Sequence, residues 1–216
     1  MGFTREELEG YRDAVVPDLC GEQPPRLVFV GINPGLWTAA TGTHFAHPSN
    51  RFYPALHRAG ITERELDRVR GLSRADRREL IDRGVAITNV VRRATARASE
   101  LSTAELRDGA DDLVRRLAEW QPRVVALAGV TTYRTAFRRP AAVPGRQSER
   151  IGDAELWVVP NPSGLNAHET IDSLAARYRE VAVAAGVVGD EAPGDGAPGD
   201  GAPGDVPLAP TGLTDP

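Results

Sequence analysis

Four short runs of apolar, largely β-branched residues alternate with stretches of helical periodicity, and this alternation constrains the fold more than any other feature. The runs cover residues 26–30, 85–91, 123–128 and 155–159. Such runs are typical of strands that are buried on both faces of a parallel sheet. Parallel strands joined through helices form right-handed crossovers. The sequence therefore predicts an α/β fold, a three-layer sandwich with a central, mainly parallel sheet of four or five strands flanked by helices.

Three segments carry the start or stop signals of helices. Residues 4–15 and 102–120 each open with a Thr or Ser that is followed three residues later by Glu, which is the pattern of a capping box. Residues 169–185 repeat apolar side chains at helical spacing and stop at Gly186, a residue type that commonly ends helices. We expect these segments to be helices that pack on the sheet.

The last 30 residues differ in composition from the rest of the chain. Residues 187–216 contain six acidic residues and no basic one, and Ala-Pro-Gly-Asp occurs three times with a period of five. No side chain in the repeat is large enough to build a core, which predicts a disordered acidic tail. The interpretation is one α/β domain over residues 1–186 followed by a tail over residues 187–216.

The charge balance outside the tail is slightly basic. The whole chain has 26 basic residues, all of them Arg, and 30 acidic ones; without the tail the balance is 26 to 24, or about +2. Arginine suits phosphate and base edges, but GC-rich codon usage explains the same composition. Composition alone therefore assigns no nucleic-acid partner.

Several classes of protein are excluded or disfavoured. A single Cys forms no internal disulfide, and no apolar run approaches the roughly 18 residues that span a bilayer. The first ten residues lack the features of a signal peptide. We expect a protein of the cytoplasm, associated with the nucleoid in a bacterium, and no contact with a membrane.

Common catalytic and cofactor motifs are also missing. His44 and His47 are close in sequence, but no Cys-x-x-Cys or His-Glu-x-x-His occurs, so we expect no metal. Ser163 does not lie in the Gly-x-Ser-x-Gly turn of serine hydrolases. Gly31 and Gly35 do not form a dinucleotide or Walker loop. A metalloenzyme, a serine hydrolase and a nucleotide-cofactor enzyme are disfavoured.

Two of the predicted strands end in the same dipeptide, Asn-Pro. Asn33 follows the first strand and Asn161 follows the last. Proline donates no ladder hydrogen bond and keeps the preceding residue extended, so each Asn-Pro ends its strand. The carboxyl ends of parallel strands form the edge where open α/β folds bind ligands. We expect the two side chains to project from neighbouring strand ends into one polar pocket, although Asn-Pro is also an ordinary turn sequence.

Residues 36–53 lack a helical or strand period and are rich in small and aromatic residues. A loop of this length in a compact domain is usually functional. Phe45 lies between two histidines on this loop and could stack on a planar base. Phe52 and Tyr53 are expected to begin a helix and to pack in the core.

Two groups of arginines are candidates for contacts with phosphate. The group between residues 64 and 78 is interleaved with acidic residues, which is typical of a solvated helix face. Arg92, Arg93 and Arg97 follow the second strand with no acidic residue before Glu100. We expect the second group to lie on the same rim as the Asn-Pro motifs, where it would contact phosphates.

Three segments together resemble one enzyme family. They are Gly-Ile-Asn-Pro-Gly at 31–35, Phe-Ala-His-Pro-Ser-Asn-Arg-Phe at 45–52 and Asn-Pro-Ser-Gly-Leu at 161–165. In this order and at these separations they resemble the mismatch-specific uracil DNA glycosylases, the family of bacterial Mug and thymine DNA glycosylase. A weaker similarity extends over residues 26–185.

The resemblance implies a monofunctional glycosylase of base excision repair. Such an enzyme hydrolyses the N-glycosidic bond of uracil, typically opposite guanine in double-stranded DNA, without a cofactor or metal. The base is everted from the stack before it reacts. The resemblance gives Asn33 the catalytic role of positioning the attacking water, and Ile32 and Phe45 the role of binding the base. Asn161 occupies the position from which related enzymes present a His toward the base.

The resemblance also implies residues that bind DNA. Ser163 would bond a phosphate, and Gly164 and Leu165 would enter the gap left by the everted nucleotide, as intercalating side chains do elsewhere. Main-chain groups near Gly164 and Asn166 would contact the widowed guanine. The bacterial enzymes continue with Ser and Arg where this chain has Asn166 and Ala167, which removes one contact with DNA.

The sequence alone leaves open which bases such an enzyme would remove from DNA. Trp37, Thr43 and His44 differ from the residues usual in the bacterial enzymes, and a pocket discriminates only about 10- to 200-fold against one methylene-sized group. One alternative is a glycosylase that acts on ethenocytosine, hypoxanthine or thymine. Another is a non-catalytic DNA-binding relative, against which a water-holding Asn33 argues. We expect a monomer that acts on double-stranded DNA containing a mispaired or damaged pyrimidine.

Overall fold

A computed structural model describes residues 2–190 of the protein. Residues 191–216, most of the predicted acidic tail, lie outside the described residues. Val187 and Val188, which the sequence interpretation places in the tail, are partly buried and pack against the core.

Five strands form one sheet. They are β1 (Leu27–Gly31), β2 (Val85–Asn89), β3 (Val124–Ala128), β4 (Gly145–Ile151) and β5 (Ala154–Val159). Their order is β2-β1-β3-β5-β4, and all neighbours are parallel except β4 and β5. Every residue of β1, β2 and β3 is buried, because helices cover both faces of the sheet. This burial explains the continuous apolar runs in the sequence.

Seven α-helices surround the sheet in the described part of the chain. They are α1 (Arg5–Glu9), α2 (Leu36–Thr41), α3 (Phe52–Arg58), α4 (Arg74–Asp82), α5 (Thr103–Trp120), α6 (Val130–Ala136) and α7 (Ile171–Ala185). On one face, α3 and α7 bury Phe52, Leu56 and Tyr178. On the other, α5 and α6 bury Leu113 and Tyr133. The predicted three-layer α/β sandwich is confirmed, with five strands.

Strand β4 is the one strand that the apolar runs did not locate. Its residues alternate between half-buried and exposed up to Ile151, which is buried. An edge strand with one solvated face needs no continuous apolar run, so its sequence, Gly-Arg-Gln-Ser-Glu-Arg-Ile, carries little strand signal.

Two expectations about local structure are wrong. The helix predicted over residues 4–15 ends at Glu9, because the chain then turns at Asp13, whose φ is +63° and whose N–H donates to the Ala94 carbonyl. The capping box at its start is present, as are those at the starts of α5 and α7. The segment 36–53, expected to be a loop, contains α2, whose six residues are too few to show a helical period.

Candidate active site

A cavity of about 760 Å³ opens at the carboxyl edge of the sheet. Asn33 after β1, Asn89 at the end of β2 and Asn161 after β5 all line it. Asn33 and Asn161 therefore share one cavity, but their strands are not neighbours, because β3 lies between β1 and β5. At this point β3 is followed by Gly129, which has no side chain to fill the space in front of Asn161.

The Asn33 amide is held by hydrogen bonds from its nitrogen. Nδ2 donates to Thr95 Oγ1 at 2.8 Å and to the carbonyl oxygens of Pro34 and Arg93, both at 3.1 Å. Thr95 Oγ1 donates its own hydrogen to the Arg97 carbonyl at 2.9 Å, so it accepts from Asn33. These acceptors fix which end of the amide is nitrogen. Oδ1 accepts no hydrogen bond within residues 2–190 and is available to a ligand or water in the cavity.

Asn89 is a cavity residue that sequence reasoning missed. The residue is only 4% exposed and its Nδ2 lies 2.9 Å from Nδ1 of His44. Nε2 of the same His44 ring lies 3.0 Å from the carbonyl oxygen of Pro17. The available signal was a polar residue inside an apolar run, Val-Ala-Ile-Thr-Asn-Val-Val, which a strand buried on both faces tolerates only with a polar partner.

Phe45, Gly31 and Asn89 pack tightly at the bottom of the cavity. The Phe45 ring stacks on Phe52 with centroids 4.2 Å apart and planes at 27°. Phe45 is also one of four non-glycine residues with positive φ, at +56°, in the described part of the chain. A Cβ on Gly31 would lie 2.4 Å from Asn89 Oδ1 and 3.1 Å from Phe45 Cζ. Glycine is therefore required at position 31 for these two side chains to approach the strand end. Ile32 lines the same cavity.

The Asn161 amide is held in the opposite sense to that of Asn33. Its Oδ1 accepts from the N–H of Ser163 at 3.0 Å, which closes a turn after Pro162. Its Nδ2 donates to no residue within the described range 2–190. The end of Asn161 available to the cavity is therefore a hydrogen-bond donor.

Residues 17–182 match the family model of the uracil DNA glycosylase superfamily. The chain belongs to this superfamily. Membership implies a DNA glycosylase, a hydrolase of N-glycosidic bonds. The chain is also similar to the solution NMR structure of a proposed uracil DNA glycosylase from Methanosarcina acetivorans. The two are 16% identical with a TM-score of 0.49, and the match covers 79% of this chain and 98% of that chain.

Beside the cavity of this superfamily member, one arginine holds the loop that follows Asn161. Nη2 of Arg51 donates to the carbonyl oxygens of Ser163 at 2.7 Å and Asn166 at 2.6 Å, and Nη1 donates to that of Glu169. The Arg51 N–H donates to the Pro162 carbonyl at 3.0 Å. A planar guanidinium with its fixed set of donors can bind several carbonyls of one loop at once.

Ser163, Gly164 and Leu165 line the cavity on this loop, which we name the 163–169 loop. Leu165 is 94% exposed, which is unusual for a leucine in a folded protein. Gly164 lies so close to Ser49 that a Cβ would be 2.5 Å from its Oγ. The loop is therefore fixed on one side by Arg51 and packed on the other against Ser49.

Arg92 and Arg93 do not line the cavity, and Arg93 has acidic neighbours in space that the sequence around it did not indicate. Its guanidinium pairs with Asp13 at 2.6 Å and with Glu105 at 2.7 Å. Asp13 comes from the N-terminal segment, which sequence spacing could not place beside Arg93. Arg92 is exposed, and its contact with phosphate stays a prediction.

The N-terminal helix α1 forms one wall of the cavity, which the sequence did not indicate. Arg5, Leu8 and Glu9 line it, as does Trp37, whose ring meets Phe3 edge-on with centroids 5.1 Å apart. Arg97, from the second arginine group, also lines the cavity. Arg5 and Arg97 are thus the arginines placed at its mouth among the described residues.

Residues 2–190 contain neither a cluster of potential metal ligands nor a membrane-spanning helix. No group of three or more His, Cys, Asp or Glu side chains there is arranged to hold a metal ion. No helix there has the length and apolar character needed to cross a membrane.

Proposed function

We propose that the protein is a monofunctional glycosylase that removes uracil from double-stranded DNA, with uracil opposite guanine as its main substrate. The observation that carries the proposal is the Asn33 amide, whose nitrogen is fixed by three acceptors while its oxygen is left to the cavity. A fixed acceptor of this kind orients one water molecule. An amide does not remove a proton as a carboxylate does, so Asn33 orients the water and is not a strong base.

Such a site suits a reaction in which bond breaking runs ahead of water attack. The C1′–N1 bond breaks with its electron pair leaving on the uracil, and the sugar becomes cation-like. The water held by Asn33 then bonds to C1′ through its oxygen and gives its extra proton to the departing uracil anion or to solvent, which leaves free uracil and an abasic sugar. Negative charge on the departing base is stabilised by donors directed at it, and the Asn161 amide supplies one on the cavity wall.

The preference for a mispair is supported by the cost of eversion. Removing a nucleotide from the stack costs about a few kcal/mol and least where pairing is already poor, as in a G·U wobble. Leu165 is exposed at the mouth of the cavity. There it can fill the gap left by the nucleotide and slow its return.

The proposal is tested by incubating the purified protein with a duplex that contains one G·U pair. We expect alkali-labile breaks at the uracil, unchanged by a metal chelator. A duplex left intact by excess enzyme would contradict catalysis and favour a DNA-binding role. Uracil in single strands, A·U pairs, G·T pairs and hypoxanthine-containing duplexes, assayed in parallel, define the range of bases.

Asn33→Ala is expected to bind the G·U duplex as the wild type does but to cleave about 100-fold more slowly or worse, because misplacement of a reacting group alone costs that much. Single-turnover rates and duplex affinities measure the two effects. Gln147→Ala is the matched control, because Gln147 is an amide on β4 that does not line the cavity. Unchanged turnover in Asn33→Ala would show that Asn33 does not orient the attacking water.

A further inference from the structure

The arginines between residues 64 and 78 are not uniformly solvated. The side chain of Arg68 is only 13% exposed, and Arg77 is half-buried. Both bind the segment that carries Phe45, which we name the 42–48 segment. The interpretation of this group as a solvated helix face is therefore wrong for these two arginines.

Arg68 and Arg77 hold the two ends of the 42–48 segment. Nη2 of Arg77 donates to the Gly42 carbonyl at 2.9 Å and to Thr43 Oγ1 at 3.1 Å. Nη2 of Arg68 donates to the Pro48 carbonyl at 3.0 Å. Lysine carries all its donors on one nitrogen, whereas the planar guanidinium directs several donors at acceptors in fixed positions.

Phe45 lies between these anchors in a conformation that a bulky residue rarely adopts. Its φ of +56° is in the left-handed region, where contacts of the Cβ are unfavourable. The ring nevertheless stacks on Phe52 and lies beside Gly31. Such a backbone persists only where its surroundings fix it. In the middle of the segment, the Tyr53 hydroxyl also donates to the His44 carbonyl at 3.0 Å.

We propose that Arg68 and Arg77 are positioning residues that hold the Phe45 ring at the bottom of the cavity, where it stacks on the base. This inference rests on the proposed function, which supplies the base. Neither arginine lines the cavity, so both act through the 42–48 segment. Release of either end lets Phe45 relax to an ordinary backbone conformation, which takes its ring away from Phe52.

The first test detects release of the Phe45 ring in the free protein, without DNA. Chymotrypsin cuts after an aromatic residue whose side chain enters the pocket of the protease, so cutting after Phe45 requires the ring to leave Phe52. The rate then follows the population of the opened segment. We expect the initial rate of cutting after Phe45, read by mass spectrometry, to be at least about tenfold higher in Arg77→Lys, because bonds from a charged group are lost.

Arg78→Lys is the matched control for this test. Arg78 is exposed on the same helix and forms no hydrogen bond or ion pair within residues 2–190, so its variant should be cut as the wild type is. Initial cutting of the intact chain after Phe29, which is buried in β1, reports global unfolding and should not change in Arg77→Lys. An unchanged rate after Phe45, or an equal rise after Phe29, would overturn the inference.

Arg68→Gln tests the other end of the segment and decides the matter if Arg77→Lys does not fold. We expect faster cutting after Phe45 here as well. Arg70→Gln removes the same charge from an exposed arginine that has no hydrogen bond or ion pair among the described residues. Unchanged cutting in Arg68→Gln, or an equal rise in Arg70→Gln, would overturn the inference.

The second test asks whether Arg77 acts on excision through Phe45. Single-turnover rates and affinities for a G·U duplex are measured for Arg77→Lys, Phe45→Ala and the double variant. We expect Arg77→Lys to lower the rate about tenfold at unchanged affinity. It should cost little further once the Phe45 ring is gone, because residues that act together are not additive. Fully additive losses, or a loss of affinity alone, would overturn the inference.

The two tests separate this inference from the proposed function. A wild type that leaves a G·U duplex intact would refute the proposed function. The chymotrypsin comparison needs no DNA, so it still decides whether Arg68 and Arg77 hold the Phe45 ring in place.

Discussion

The amides of three asparagines around one cavity have two opposite orientations. The group that anchors each amide differs between them. Asn33 and Asn89 direct their nitrogens into the protein, toward Thr95 and His44. Asn161 directs its oxygen into the protein, toward the Ser163 N–H. Because an amide has one donor end and one acceptor end, the anchor decides whether the cavity wall presents an acceptor or a donor.

At the residue scale, Gly31→Ala is expected to disrupt the bottom of the cavity. The new Cβ would lie 2.4 Å from Asn89 Oδ1 and 3.1 Å from Phe45 Cζ, so both side chains must shift. We expect kcat/KM for a G·U duplex to fall at least about tenfold, since displacement of about 1 Å in positioning groups can cost 100-fold. Gly35→Ala is the control in the same loop, because its Cβ would meet no atom within 4 Å. Equal activity of the two variants would contradict the close approach.

Residue positions in the site were more predictable than residue orientations. Asn33 and Asn161 could be placed at the carboxyl edge because Pro follows each at a strand end. The anchoring groups could not, because Thr95 and Arg93 lie about 60 residues from Asn33 along the chain. Asn89 was missed because an Asn inside an apolar run gives no sign of which partner satisfies it.

At the scale of elements, the conformation of the 163–169 loop depends on a side chain at the start of α3. Arg51 donates to three carbonyl oxygens of this loop and holds it beside the cavity. The loop has no regular structure of its own, so its shape at Leu165 is set by these bonds and by packing of Gly164 on Ser49.

Arg51→Lys is therefore expected to impair excision from duplex DNA while sparing single strands. Lysine carries all its donors on one nitrogen and lacks the planar fork that spans the three carbonyls, so Leu165 would no longer be held where it fills the gap. We expect about a tenfold loss on a G·U duplex, equivalent to 1.4 kcal/mol, and little change on single-stranded uracil, where no gap forms. Single-turnover rates on both substrates measure the effect.

The double variant that combines Arg51→Lys with Leu165→Ala shows whether Arg51 acts by holding Leu165 in place. If it does, Arg51→Lys costs little further duplex activity once Leu165 is gone, because coupled residues are not additive. Fully additive losses would contradict the link. Arg58→Lys is the control on the same helix, since Arg58 pairs with no carboxylate of residues 2–190 other than the exposed Asp172.

Helices and strands with a clear apolar periodicity or a capping signal could be predicted from the sequence. Those whose bounds depend on tertiary contacts could not. A capping box predicted α5, and apolar periodicity with a terminal glycine predicted α7. Helix α1 stopped early because residues 13–15 are bonded to residues 93–94, and β4 is polar because one of its faces is solvated. In both cases a tertiary contact overrides the local signal.

At the scale of the whole molecule, the parallel sheet gathers residues 33, 89 and 161 at one edge. The Asn-Pro motifs after two predicted strands indicated this gathering for residues 33 and 161 but not for residue 89. They did not give the strand order, and the ends of β1 and β5 are not neighbours. Arg93 links distant parts of the molecule by pairing with Asp13 from the N-terminal segment and Glu105 from α5. Global stability should therefore respond to the ionisation of Glu105.

The pKa of Glu105 sets the pH range over which the stability should change. Hydrogen bonds from Ser102, followed by Arg93, lower its pKa from 4.5 to about 2. A carboxylate whose pKa is depressed by folding stabilises the protein above its unfolded pKa and loses that effect as pH falls through the folded value. We expect the stability difference between the wild type and Glu105→Gln to be constant above about pH 5 and to shrink between pH 4.5 and 2.

Urea unfolding midpoints at several pH values measure this difference. Glu119→Gln, at the other end of α5, is the control, because Glu119 forms no ion pair within residues 2–190. Its midpoint should stay close to that of the wild type at every pH. A difference for Glu105→Gln that persists to pH 2 would show that Gln loses something other than the charge.

The proline that follows Asn33 and Asn161 has a consequence for the chemical lifetime of the protein. Asparagine ages into aspartate when the nitrogen of the following peptide bond attacks the side chain and forms a cyclic imide. The nitrogens of Pro34 and Pro162 carry no hydrogen, so Asn33 and Asn161 are closed to this route. Asn89, followed by Val90, lacks that protection and relies on burial instead. Old protein should therefore keep the amides of Asn33 and Asn161 intact even where exposed asparagines elsewhere have turned acidic.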